Sequence, residues 1–306
     1  SLIACSVKEA PIVTSGSEEC ATLTGITLPA GDAKASYSLG QTAFKYSGLT
    51  SIVIPEGVGN IGNNCFQSAG ALTSVSFATI KDIVFGTYVF KSCGALTSIT
   101  LHEGTTAIGS SMFGSCTSLT SITIPASATS IGASAFSGCT SLASVTFATA
   151  PESDAEGAPA YSKVANIGDY AFAQTALTSF AFPTLKSGDL TLGQKLFNGC
   201  KELTTVTLSK SVGKIEGTFA GCSSIKGFVV DPASENFSAV EGDPILYNKQ
   251  KTAYQYVSGL IVGEFRVGST IELIGANVFE NQIALTKLII PASIKDIRNK
   301  TFAGCP

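Results

Sequence analysis

Apolar residues recur along this chain with two alternating rhythms. One is a short period-two stretch that opens with Leu: Leu49-Thr-Ser-Ile-Val-Ile, Leu72-Thr-Ser-Val-Ser-Phe, Leu96-Thr-Ser-Ile-Thr-Leu, Leu119-Thr-Ser-Ile-Thr-Ile and Leu142-Ala-Ser-Val-Thr-Phe, spaced by 23 or 24 residues. Alternation of this kind predicts a short strand with one face buried. The pattern starts at Leu23 and continues at Leu177, Leu203, Ile225, Val262 and Leu285. The second rhythm reads Ile-Gly-x-x-x-Phe, as in Ile61-Gly62 to Phe66, Ile108-Gly109 to Phe113, Ile131-Gly132 to Phe136 and Ile167-Gly168 to Phe172. Its Gly predicts a turn or a close backbone approach. The segment ending in Phe is expected to return along the other side as a short helical or irregular piece.

A unit of ~23 residues cannot bury its own apolar face, so it stacks on copies of itself. The expected fold is therefore a leucine-rich-repeat solenoid with one parallel β-sheet on a concave face. Residues 1–22 do not fit the repeat and are read as an N-terminal cap; residues 23–306 form a single array of about 11 units. A Phe column is expected through positions 44, 66, 90, 113, 136, 172, 197, 219, 279 and 302.

The unit form Leu-x-x-Ile-x-Ile-Pro…Ile-Gly-x-x-Ala-Phe-x-x-Cys resembles the BspA-like leucine-rich repeats, over nearly the whole chain from Leu23. The stretch Asn236-Phe…Ile245-Leu-Tyr-Asn-Lys…Thr252-Ala-Tyr also resembles that family's hairpin-bearing unit, although Glu241-Gly-Asp-Pro stands where its Asp-Gly turn is usual. The resemblance implies a surface or secreted protein of the adhesion type, and it names no ligand.

Two insertions interrupt the spacing: a polar Pro/Gly/Ala loop at 151–162, and a stretch at 236–260 whose alternation reads as a hairpin carrying Tyr247, Tyr254 and Tyr256. Insertions in repeat arrays map to one face and often carry binding; they are also accepted at low cost. The last unit stops at Cys305-Pro306 without the polar cap a solenoid needs, so the chain is expected to be a fragment or to end abruptly.

Composition narrows the chemistry. Hydrophobic residues make up 44% of the chain and charged ones 13%, with a mean hydropathy of +0.33, which excludes a disordered chain. Balanced charge, 19 Lys and Arg against 22 Asp and Glu, gives no basic face for nucleic acid. No apolar run reaches the ~20 residues that would span a membrane.

Of nine cysteines, Cys93, Cys116, Cys139, Cys200, Cys222 and Cys305 fall three residues after the repeat Phe, where other units carry Ser47, Ala69, Thr175 and Gln282. That slot reads as a small packing position, and reduced buried thiols are favoured over disulfides or zinc. Cys5 and Cys20 lie outside the repeat, and a bond between them is one reading. Leu2-Ile-Ala-Cys5 also matches a bacterial lipobox, so a lipid anchor at Cys5 is another.

Gly57-Val-Gly-Asn-Ile-Gly62 spells a dinucleotide fingerprint, but its glycines are repeat punctuation and no β-α-β unit surrounds them. The lone His102 has no nucleophile set by the repeat, so it is expected to be exposed or packed. No catalytic constellation, cofactor site or metal site is expected, and the chain is read as a non-enzyme.

Between the apolar strand positions lies a row of small polar residues that includes Ser98 and Thr100, Ser121 and Thr123, Ser144 and Thr146, and that gives way to Glu264 and Arg266. This ladder reads either as a solvated surface or as a binding face. The leading reading is a cell-surface or secreted module, extracellular and adhesive, that recognises a host or microbial protein. Its best ligand-contacting candidates are the Tyr247/Tyr254/Tyr256 hairpin and Arg266, with the hydroxyl ladder beside them. A structural spacer and a glycan-binding module are the alternatives.

Overall fold

The computed structural model describes residues 12–13, 21–30, 37–78, 83–151, 160–215 and 217–305. Among the described residues the chain coils as a β-solenoid with three repeating sides and no helix. The first side carries the Leu-x-x-Ile stretches as strands, including Ser51–Ile54, Ser74–Phe77, Ser121–Ile124, Ser144–Phe147, Ser179–Ala181, Thr205–Leu208, Gly227–Val230, Gly263–Arg266 and Leu285–Ile289. They pair in parallel and in step, Ser51 beside Ser74 and Ser121 beside Ser144. This ladder is divided into blocks rather than continuous: residues 96–101 follow the same path without strand geometry, and the later breaks fall at the two insertions.

The second side is a parallel ladder that the sequence pattern did not predict. The Ile or Leu before the repeat Gly lies in a short strand, as in Ala107–Ile108, Ser130–Ile131, Asn166–Ile167 and Thr191–Leu192, paired in parallel with the neighbouring copy. Two-residue strands are too short to show alternation. Part of the expected cap joins this ladder, since Ile12–Val13 pairs in parallel with Tyr37–Leu39. Cys5 and Cys20 lie outside the described residues.

Of the helical or irregular segments expected on the third side, the helical form is not found among the described residues. Residues from the repeat Gly to the third residue after Phe form successive β-turns. Alternate N–H groups close the turns, Cys65 to Gly62 O at 3.3 Å and Ala69 to Phe66 O at 3.1 Å. The N–H groups between them reach across to the next unit, Asn64 to Thr87 O at 2.9 Å and Ser68 to Lys91 O at 2.8 Å. A helix would direct every N–H back along its own segment. The positive φ of Asn64 and Ser68, at 57° and 59°, breaks any helical path twice within five residues.

The repeat Gly answers a packing demand. A Cβ on Gly132 would lie 2.6 Å from Ser110 N and 2.9 Å from Gly109 C, so the backbones of neighbouring units touch there. Inside, the Phe side chains stack in parallel with centroids 5.2 to 6.0 Å apart from Phe44 through Phe219, and again from Phe279 to Phe302. Such stacking adds roughly 0.5–1.5 kcal/mol per pair beyond simple area burial.

The two insertions take different forms. Ala150–Pro151 pairs antiparallel with Ala160–Tyr161 at the base of the first; residues 152–159 lie outside the described part. The second is a three-stranded meander, Phe237–Ala239, Ile245–Asn248 and Ala253–Val257, whose last strand rejoins the second ladder beside Leu273–Ile274.

Candidate functional site

The outward positions of the first ladder are exposed at Ser98, Thr100, Ser121, Thr123, Ser144 and Thr146, as expected from strand alternation. Just before them, a column of threonines turns back on the array: Thr73 Oγ1 donates to Thr50 O at 2.9 Å and Thr204 Oγ1 to Thr178 O at 3.0 Å. The Ser/Thr row leads to Thr205, which lines an open groove of about 520 Å³ between strand Gly227–Val230 and the first strand of the meander. Phe228, Val229, Phe237, Ser238, Glu241 and Lys249 also line it. Val229 is 55% exposed, an apolar outward position like that of Val53 at 58%, whereas the preceding unit carries Thr207 there. Sequence reasoning missed this groove because it is made by two segments whose juxtaposition depends on how the meander folds back. The sequence offered only a partial signal: Val229 is an apolar outward residue at the layer before the insertion, in a row where Val53 and Ala181 also depart from Ser and Thr.

The candidate tyrosines occupy three different environments. Tyr254 is buried at 3% exposure; its hydroxyl accepts the N–H of Gly268 at 3.0 Å. Tyr256 packs edge-on against Phe219 and Phe228 and donates its hydroxyl to Cys222 O at 2.6 Å. Burial holds its ionisation well above the ordinary tyrosine range. Tyr247 is half-buried, edge-on to Tyr254, with its hydroxyl on Asp243 Oδ2 at 2.7 Å. Burial first, and the Asp243 carboxylate second, push its ionisation upward. Arg266 is exposed, 3.6 Å from Glu264, which also meets Lys287 at 2.9 Å. The structure thus brings Tyr247 and Tyr254 together, directs the hydroxyls of Tyr254 and Tyr256 into the fold, and leaves Arg266 on the strand surface. Such exposed ion pairs contribute little stability.

The cysteine column is reduced and, apart from the half-buried Cys305, buried. Each thiol donates to the carbonyl of the Phe one unit back: Cys93 to Phe66, Cys116 to Phe90, Cys139 to Phe113, Cys200 to Phe172, Cys222 to Phe197 and Cys305 to Phe279, at 3.0 to 3.2 Å. Burial pushes the thiols of Cys93 and Cys139 up to about 12, which makes them poor nucleophiles. His102 is a packing residue, 8% exposed, with its ring 5.3 Å from that of Phe77 and Nδ1 2.7 Å from Glu103 O. Among the described residues no group of three or more His, Cys, Asp or Glu is placed to hold a metal, and no helix is long and apolar enough to cross a membrane.

Stacked Leu-x-x-Ile strands, an in-register Phe column and an exposed polar row define a leucine-rich-repeat β-solenoid. The chain belongs to the BspA-type leucine-rich repeat family, whose model matches residues 37–153, 158–240 and 247–306. Among solved structures it is similar to a leucine-rich repeat protein from Eubacterium ventriosum, at 26% identity and a TM-score of 0.57 over 69% of this chain and 52% of that one. It is also similar to a leucine-rich cell surface protein from Faecalibacterium prausnitzii, at 24% identity and a TM-score of 0.55 over 97% of this chain and 73% of that one. The chain spans about half the length of the Eubacterium protein. No curated protein matches the sequence.

Proposed function

We propose that this chain is an extracellular binding module, secreted or displayed at a cell surface, that adheres to a protein ligand through the first ladder and the groove at its end. One observation carries the reading: the outward row of the first ladder leads to an open groove lined by the exposed Val229 together with Glu241 and Lys249. Protein interfaces need an apolar centre with a polar rim. Here the rim extends along Ser98, Thr100, Ser121, Thr123, Ser144 and Thr146. Tyr247 lies on the meander's middle strand and Arg266 on the first-ladder strand that follows it, while Tyr254 and Tyr256 hold that meander against the array. The likeness to a protein described as a cell surface protein supports the location.

The test is a binding screen of the folded chain against extracellular-matrix proteins at physiological salt. A saturable hit that weakens in the double variant Ser121→Arg/Thr123→Arg supports the adhesion reading and its face. Silence across the panel overturns it in favour of a spacer that presents another domain.

A further inference from the structure

The exposed tyrosines of this protein are on the turn side, away from the first ladder. Tyr46, Tyr88 and Tyr170 are 44%, 38% and 38% exposed. All three hold positive φ, at 59°, 61° and 55°, in the left-handed slots of the turn ladder. A bulky side chain in that conformation is uncommon, and most copies of these slots carry Ser, Asn, Lys or Gly instead. The ladder fixes the backbone at each: Tyr46 N–H donates to Gln67 O at 2.9 Å, Tyr88 to Ser110 O at 3.0 Å and Tyr170 to Gln194 O at 3.1 Å. The rings are therefore carried outward on a backbone that cannot relax away from them.

Each ring also has an ammonium beside it: Lys45 at 4.9 Å from the Tyr46 centroid, Lys91 at 5.1 Å from Tyr88 and Lys195 at 6.0 Å from Tyr170. In two pairs the lysine is a neighbour in the same turn segment; in the third it comes from the next unit. Tyr88 and Tyr170 occupy the same slot three layers apart, roughly 15 Å at the spacing of paired strands. Between them the surface shows the serines of the left-handed slots, Ser92, Ser111, Ser115 and Ser134. Asp169, the acidic group of this stretch, accepts the N–H of Gln194 at 2.7 Å.

We propose that this stripe binds an anionic polysaccharide, one that bears sulfate or carboxylate groups. Flat amphipathic rings offer apolar platforms for sugar faces, the ammonium groups meet the acidic substituents, and the intervening serines meet hydroxyls. The rings stand as isolated platforms separated by polar residues, whereas a protein partner needs a contiguous apolar centre. The site lies on a different side of the array from the proposed protein-binding groove, so each stands or falls alone.

The experiment is a titration of the folded chain with heparin, with dextran and poly-glutamate as controls, at several salt concentrations. The variants are Y46S/Y88S/Y170S and K45Q/K91Q/K195S. These residues already occur at equivalent slots, Ser68, Ser111, Ser134 and Gln67, so the fold tolerates them; thermal melting verifies this. The expected result is saturable heparin binding, roughly tenfold weaker in each triple variant, with a log–log salt slope of about three for three ammonium contacts. Dextran is expected to be silent and poly-glutamate weaker than heparin. Absence of heparin binding overturns the proposal. So does unchanged binding in the tyrosine variant, or poly-glutamate that binds as tightly as heparin, since either reduces the stripe to bare charge.

Discussion

The cysteine slot shows how much one residue position reveals. Comparison among units already indicated a small buried group, because Ser, Ala and Thr share the slot. What the sequence could not show is the partner, since Cys139 Sγ and Phe113 O are 26 residues apart and meet only after stacking. Because burial raises the folded thiols, with Cys93 and Cys139 at about 12 against roughly 8.5 when unfolded, the folded state retains protons that the unfolded state releases between those values. The stabilisation is complete below about pH 8.5 and is lost as pH rises toward 12. Melting temperature is therefore expected to fall steadily from pH 8.5 upward, and Cys93→Ala/Cys139→Ala should flatten that fall. An unchanged slope in the variant would remove the thiols as its cause. Similarly, Tyr256→Phe should cost about 1 kcal/mol by urea unfolding, because it orphans the carbonyl of Cys222.

At the scale of the element, the strands of the first side were legible because alternation is a property of one segment. The second ladder and the turn side were not, since their order comes from hydrogen bonds between units rather than within them. Gly132 separates the two explanations offered for the repeat glycine. It packs against Gly109 and Ser110 of the preceding unit, so Gly132→Ala is expected to cost several kcal/mol, on the order of an overpacked core site or more. Gly70, with nothing within 4 Å of an added Cβ, should accept Ala with little change. Ser134, at a φ of 55°, should tolerate Gly at a change within about 1 kcal/mol, since relief of strain offsets the added freedom of the unfolded chain. Urea titrations of these three variants order the sites directly; a Gly132→Ala protein as stable as the wild type would refute the close-approach account.

The molecule as a whole is a quasi-one-dimensional stack in which each unit touches its neighbours, and the Phe column makes that coupling concrete. Phe136 lies between Phe113 and Phe172 at 5.4 Å from each, fully buried. Phe136→Ala is expected to cost ~3–5 kcal/mol and to separate unfolding of the two halves, seen as a broadened or two-step transition. The array and its first face could be read from repetition; the groove beside Val229 could not, because it arises where the meander of 236–260 departs from the repeat. The central claim is that this departure, and the row leading to it, make a protein-binding site. It is tested most directly by the affinity of Val229→Arg for a matrix protein that the wild-type chain binds. A loss of at least about tenfold, with the melting temperature unchanged, is expected. A Val229→Arg chain that is folded and binds with wild-type affinity would contradict it.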